Sequence, residues 1–250
     1  MIPELPALVY AAGLVFARLG SILMLLPGFG EPSIPVRIRL AFALLLCLIM
    51  GPIIAPSLPP MPAQPLVMTG IVMSEVITGL MIGAVARIFM STAAVAGQVI
   101  GMQSGLAMAQ SLDPSQGQQG ALIATFLNLT FLLVLLTTNT HHMLLQMALN
   151  SYQVFEPGGM PSMTDAAEWA LTAFIDAFRI GVQLASPLIL YGLLFYLALG
   201  ILSRLMPQAQ IFFIAMPSNI MVGLIILTIA LGAMSAVWLE RMQRFAMEMT

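Results

Sequence analysis

Charge is what this chain has least of. Only 7% of its 250 residues are charged, against about 25% in soluble domains. Lysine is absent, and all eight basic residues are arginine. The formal net charge of −2 leaves no basic surface for nucleic acid. A single cysteine, Cys47, excludes an internal disulfide; in the run LLLCLIM it reads as a small packed hydrophobe. No phosphate loop, dinucleotide fingerprint or serine elbow is present, so no cofactor and no enzyme activity is expected. His141-His142 is the one histidine cluster. Adjacent side chains diverge on a helix and no Cys, Asp or Glu stands near, so no metal site is expected. The opening MIPELPALVY has an acid and two prolines where a signal peptide carries its basic region. The first apolar run is therefore expected to stay as a span.

What the chain has is hydrocarbon. Hydrophobic residues make up 60% and mean hydropathy is +1.02, which predicts an all-α polytopic membrane protein. Methionine is abundant, at 21 residues; in a membrane core it mostly substitutes for leucine. The apolar runs are Leu5–Leu26, Leu40–Met50 closed by Gly51-Pro52, Leu66–Leu112, Ala121–Val154, Ala166–Leu202 and Ala209–Leu239. A proline-rich, uncharged loop over 52–65 separates the second from the third. The third run is either one long tilted helix or two with a soft joint. In the fourth, the polar patch Thr137–His142 marks an end or a bend. Pro187 and Pro217 are expected as helix breaks.

The few charges inside these runs need partners. Arg18, Arg37, Arg39, Glu75, Arg87, Asp176, Arg179 and Arg204 are expected as buried charges or assembly contacts. Glu75 and Arg87, twelve residues apart, are too distant to pair on one helix. Asp176 and Arg179, three apart, share a face and can neutralise one another, which outweighs a proton relay at Asp176. Arg37 and Arg39 place the first link inside by the positive-inside rule, with the loops 52–65 and 155–165 outside and Arg204 inside. A plain sixth crossing then puts Arg241 and Arg244 outside, against the rule. A hairpin at Pro217 would resolve the conflict, as would apolar surface buried against other subunits.

The most unusual stretch is Ala93–Gly120. Ala93, Gly97, Gly101, Gly105 and Ala109 recur every four residues and predict a bare helix stripe for close packing. Gln98, Met102, Gln103, Met108 and Gln110 lie among them, and Asp113-Pro114-Ser115-Gln116-Gly117 follows as a polar loop. Two readings stand: a tightly packed helix pair with an ordinary turn, or a segment that lines or obstructs a passage.

Several residues together resemble the FliR family of flagellar export-gate proteins. They are Arg18, Pro27 and Ile34-Pro35-Val36-Arg37-Ile38-Arg39-Leu40-Ala41; Glu75 with Gly79 and Gly83; Gly97-Gln98-Val99-Ile100-Gly101-Met102-Gln103-Ser104-Gly105 with Asp113-Pro114; Asn150-Ser151-Tyr152 and Pro157-Gly158-Gly159; and Ala185-Ser186-Pro187 with Ser203-Arg204-Leu205-Met206-Pro207-Gln208. The homologous virulence type III secretion subunit shares this pattern. The resemblance implies one integral membrane domain at the bacterial inner membrane, about 1–202 FliP-like and about 203–250 a FliQ-like hairpin. It implies a hetero-oligomeric core with FliP and FliQ, partly raised toward the periplasm, with FlhB and FlhA nearby, in the flagellar basal body. It implies a pore plug over Ser104–Gln119 gating unfolded export substrates, with the plug and its gasket drawing on Met102, Gln103, Ser104, Gly105, Met108, Gln110, Asp113, Pro114, Gln116 and Gly117. The rival classes are a small-solute secondary transporter, a membrane-embedded enzyme and a pore-free scaffold.

Overall fold

The structure is a computed structural model that describes residues 5–106, 122–206 and 211–248, the side chains of 212–214 excepted. Its elements are α1 (Leu5–Leu25), α2 (Val36–Ile54), a 3-10 turn (Ala55–Ser57), α3 (Pro65–Gln103), α4 (Leu122–Thr137), α5 (Thr140–Val154), α6 (Met163–Leu205) and α7 (Ile211–Glu248). No strand occurs among the described residues. In lipid a backbone must bond to itself, and helices do this without a partner segment.

By length and composition five helices can cross a membrane, and the α4–α5 pair, bent by 78°, has the form of a broken span or a re-entrant loop. The bend lies at the polar patch read from the sequence. Asn139 occupies the left-handed region there at φ 59°, which asparagine tolerates better than most residues. Helices α3, α6 and α7 contain 39, 43 and 38 residues. At 1.5 Å per residue their contours are about 58, 64 and 57 Å, roughly twice a ~30 Å hydrocarbon layer.

Proline punctuates this chain less than its sequence suggests. The third apolar run is one helix to Gln103, without a mid-run joint. Gly51-Pro52 does not close α2, which runs through Pro52 to Ile54. Pro187 and Pro217 lie inside α6 and α7, so neither breaks its helix and the last block is one helix instead of a hairpin. A proline removes one backbone bond, at about 3 kcal/mol. A true break would expose several unpaired groups in an apolar setting, which costs more.

The chain forms two compact units, each assembled from separated stretches. Unit 1 comprises Met1–Phe89, Leu135–Phe174 and Met242–Thr250; unit 2 comprises Met90–Val134 and Ile175–Arg241. In unit 1, Leu14, Ile22, Ile82, Ala86, Leu144 and Met147 are fully buried. Gly79 and Gly83 of α3 receive α1: a Cβ on Gly79 would lie 2.8 Å from Ser21 Cβ, and one on Gly83 would lie 2.9 Å from Leu25 Cβ. In unit 2, Phe131 and Trp238 stack with centroids 4.7 Å apart at the core.

Candidate functional site

The end of α3 is enclosed within unit 2. Ala93, Ala96, Gly97, Ile100, Gly101 and Ser104 are buried. Gly97 meets α4 where a Cβ would collide with the backbone of Ala124. Gly181 of α6 receives Val95, whose Cβ would stand 2.7 Å from an added one. Gly192, also on α6, receives the Gln103 side chain, and Gly223 of α7 receives Ser104. Glycines on neighbouring helices therefore clear the space that α3 occupies, and Gly97 of the stripe is covered by α4 of the same chain. The stripe residues Ala93, Gly97 and Gly101 are all buried there. Ala109 lies outside the described residues.

Gly105 is not on the helix. It turns the chain at φ +73°, a left-handed conformation that glycine adopts without penalty. The Gly105 N–H donates to Met102 O at 3.2 Å. Asn219 of α7 holds this corner: its Nδ2 donates to Gln103 O at 3.2 Å, and the residue is 2% exposed. Its Oδ1 has no hydrogen-bond partner among the described residues. Asn219 thus caps one of the carbonyls that a helix C-terminus leaves open. Sequence reading missed Asn219, Gly181, Gly192 and Gly223. A lone asparagine inside an apolar run was the available signal, since a polar group in such a run requires a partner. Met102 is 57% exposed, and Gln103 and Ser104 line the corner. Met108, Gln110, Asp113, Pro114, Gln116 and Gly117 lie outside the described residues.

Unit 1 carries the charge centre. Arg18 and Glu75 are fully buried and paired: Arg18 Nε donates to Glu75 Oε2 at 2.6 Å and Nη2 to Oε1 at 3.0 Å. Arg18 Nη1 donates to the carbonyls of Ser151 and Phe155, each at 3.0 Å, at the end of α5. Glu75 Oε1 also accepts from the Gly158 N–H at 2.6 Å. The Arg18 guanidinium lies 4.3 Å from the Tyr152 ring centroid, close enough for cation–π attraction. One ion pair thus ties α1, α3, α5 and the loop that follows α5. Its hydrogen bonds occupy both carboxylate oxygens and three guanidinium nitrogens, which offsets much of the desolvation of burial.

The other charges are placed differently. Arg87 finds Glu31 at 3.6 Å and is 40% exposed. Asp176 and Arg179 pair at 3.3 Å as their spacing predicts, but at the surface. Arg37 and Arg204 are exposed and Arg39 is partly buried, while Glu31 joins Arg18 and Glu75 among the buried charges of the described residues. Arginines at helix ends reach water with little strain, whereas mid-helix charges do not. His141 and His142 rest ring to ring at 4.1 Å.

Comparison with known proteins gives this arrangement a context. A family model described as bacterial export proteins, family 1, matches residues 9–245. The flagellar biosynthetic protein FliR of Caulobacter vibrioides is 41% identical over 233 residues, 93% of each chain. FliR of Bacillus subtilis is 31% identical over 229 residues, 90% of this chain and 87% of its own. The surface presentation of antigens protein SpaR of Salmonella typhimurium is 29% identical over 213 residues, 85% of this chain and 80% of its own. A many-spanned helical chain, with a match that extends through nearly all of it and relatives named for flagellar biosynthesis, leads to one assignment: this chain belongs to the bacterial export proteins, family 1.

Proposed function

We propose that this chain is a membrane subunit of a flagellar type III export apparatus. It completes a helical pore with FliP and FliQ, and its segment 104–119 is a compliant plug for unfolded export substrates. The resemblance assigns about 1–202 to a FliP-like part and about 203–250 to a FliQ-like part. That division differs from the two compact units. FlhB and FlhA are the expected neighbours, in the inner membrane of the cell, with part of the assembly raised toward the periplasm.

The observation that carries the reading is the corner at Gly105. There α3 ends in a fixed turn, held by Asn219, immediately before the Gly/Ser/Gln-rich stretch. A rigid anchor followed by a polar segment suits a stopper that must close a narrow space and part again. Thioethers and small polar groups would limit ion leakage by packing and dewetting. The energy for transport comes from elsewhere in such an apparatus.

Deleting Gln110–Gln119 is expected to leave co-purification with FliP and FliQ intact while making vesicles that hold the complex leak small dyes. A deletion variant as tight as the parent removes the plug from the proposal. Failure of the intact chain to co-purify with FliP and FliQ removes the pore. The relative SpaR favours a second reading, a virulence type III secretion apparatus. Export of flagellin-type substrates in a complemented strain separates the two.

A further inference from the structure

We propose that the cleft at the start of α2 binds one anionic phospholipid, with its phosphate on Arg39 and its upper acyl chain over Phe29 and Phe42. The cleft holds about 210 Å³ and is lined by Leu23, Phe29, Ile34, Ile38, Arg39 and Phe42. Five of the six are apolar. The Phe29 and Phe42 rings stack at 5.3 Å, inclined by 4°, and make a flat hydrocarbon wall. One charged side chain enters this lining. Arg39 Nε is buried and has no hydrogen-bond partner. A buried charged donor left unmade is costly, so an acceptor is what this site lacks.

The charge balance gives the sign of the missing group. Helix α2 begins with Arg37 and Arg39 and has no acid in its first turn. Pro35 supplies no side-chain cap, and the N-terminal end of a helix is itself positive. Glu31, the acid of the preceding link, faces Arg87 at 3.6 Å. Two positive contributions, Arg39 and the helix end, therefore meet at this cleft, and Arg37 adds to the field from an exposed side of the helix. The lining then says what the anion is attached to. A free phosphate would meet Arg39 and leave the aromatic wall wet. An acidic peptide would bring polar backbone to a surface with almost no polar group to receive it. A lipid satisfies both parts.

Depth agrees. The span that length and composition give α2 starts at Val36, and a helix that crosses there carries Arg37 and Arg39 at the level of phosphate groups. Short arginine-bearing links stay on the cytoplasmic side, where anionic lipids attract basic residues.

The test uses the full chain purified in detergent with equimolar phosphatidylglycerol and phosphatidylcholine of matched acyl chains. Retained lipid is counted by native mass spectrometry. The parent is expected to keep one phosphatidylglycerol in preference to phosphatidylcholine. Arg39→Gln is expected to lower that retention about five-fold, the factor one arginine contributes at an anionic surface. Arg204→Gln, at another helix end, should leave it unchanged. Ile38→Trp fills the cleft without touching a charge and should displace the lipid. It carries the test if Arg39→Gln fails to fold, as read by thermal unfolding. Three results overturn the proposal: equal losses in Arg39→Gln and Arg204→Gln, displacement by excess inorganic phosphate, or displacement by an acidic peptide.

Discussion

The two units of this chain both pack on glycine, but among the described residues only one of them is also tied by a buried ion pair. Unit 1 places a charged pair at its centre: Arg18 and Glu75 are completely buried and reach three backbone groups besides one another. Unit 2 has no such buried pair among its described residues and relies on removed side chains, as Gly79 and Gly83 also do in unit 1: Gly97, Gly181, Gly192 and Gly223 each clear room for a neighbouring segment. The contrast teaches what each device controls. A hydrogen-bonded ion pair fixes which segments meet, because no other arrangement satisfies the charges. A glycine contact fixes how closely they meet, because in an apolar setting van der Waals packing is the main drive available. The export reading needs both, a firm frame and a closely fitted helix end that carries the plug.

The comparison can be broken most forcefully at Arg18. Arg18→Met leaves Glu75 buried and unpaired and is expected to cost about 3–5 kcal/mol, read as loss of thermal stability in detergent. The double variant Arg18→Met/Glu75→Met should recover most of that loss, since an apolar pair of similar volume can replace a buried ion pair. A single variant within experimental error of the parent would show that the pair does not hold unit 1 together.

A smaller effect sharpens the other side. Gly97→Ala puts a methyl against the Ala124 backbone and is expected to destabilise by about 1–3 kcal/mol. Gly70→Ala, on the same helix with nothing within 4 Å of the added atom, should reverse the sign and stabilise by about 0.5–1 kcal/mol. If both substitutions stabilise, close approach is not what Gly97 is for. The smallest effect is reserved for the exposed pair. Asp176→Asn removes a partner that is 45% exposed from an arginine that is 65% exposed, and should shift stability by no more than about 0.5 kcal/mol. A loss comparable to that of Arg18→Met would end the distinction between buried and exposed pairs drawn here.

Much of the frame is written in the order of residues. Apolar runs place the helices, and the polar patch at Thr137–His142 marks the bend found between α4 and α5. The i, i+3 spacing of Asp176 and Arg179 gives their pair directly. What spacing cannot give is a partner on another helix. Arg18 and Glu75 stand 57 residues apart, and each sequence neighbourhood says only that some counter-charge must exist. Asn219 and Gln103 are separated by 116 residues and meet for the same kind of reason. Pro52, Pro187 and Pro217 were misread because a local propensity was weighed without its surroundings. One lost backbone bond is tolerable when breaking the helix would expose more. The stripe's spacing says that something packs closely on it but not what: at Gly97 the neighbour is α4 of the same chain.

The length of α6 has a cellular consequence. Its outward-facing apolar residues run from Leu171 through Phe178 and Leu193 to Leu205. That is about 51 Å of contour, some 20 Å more than a bilayer can cover. A copy translated ahead of its companions would hold that excess as a greasy post in water, an invitation to proteases and to clumping. The dosage of this gene relative to whatever sheathes the post should therefore matter more than its absolute expression, and an unclaimed copy should be short-lived.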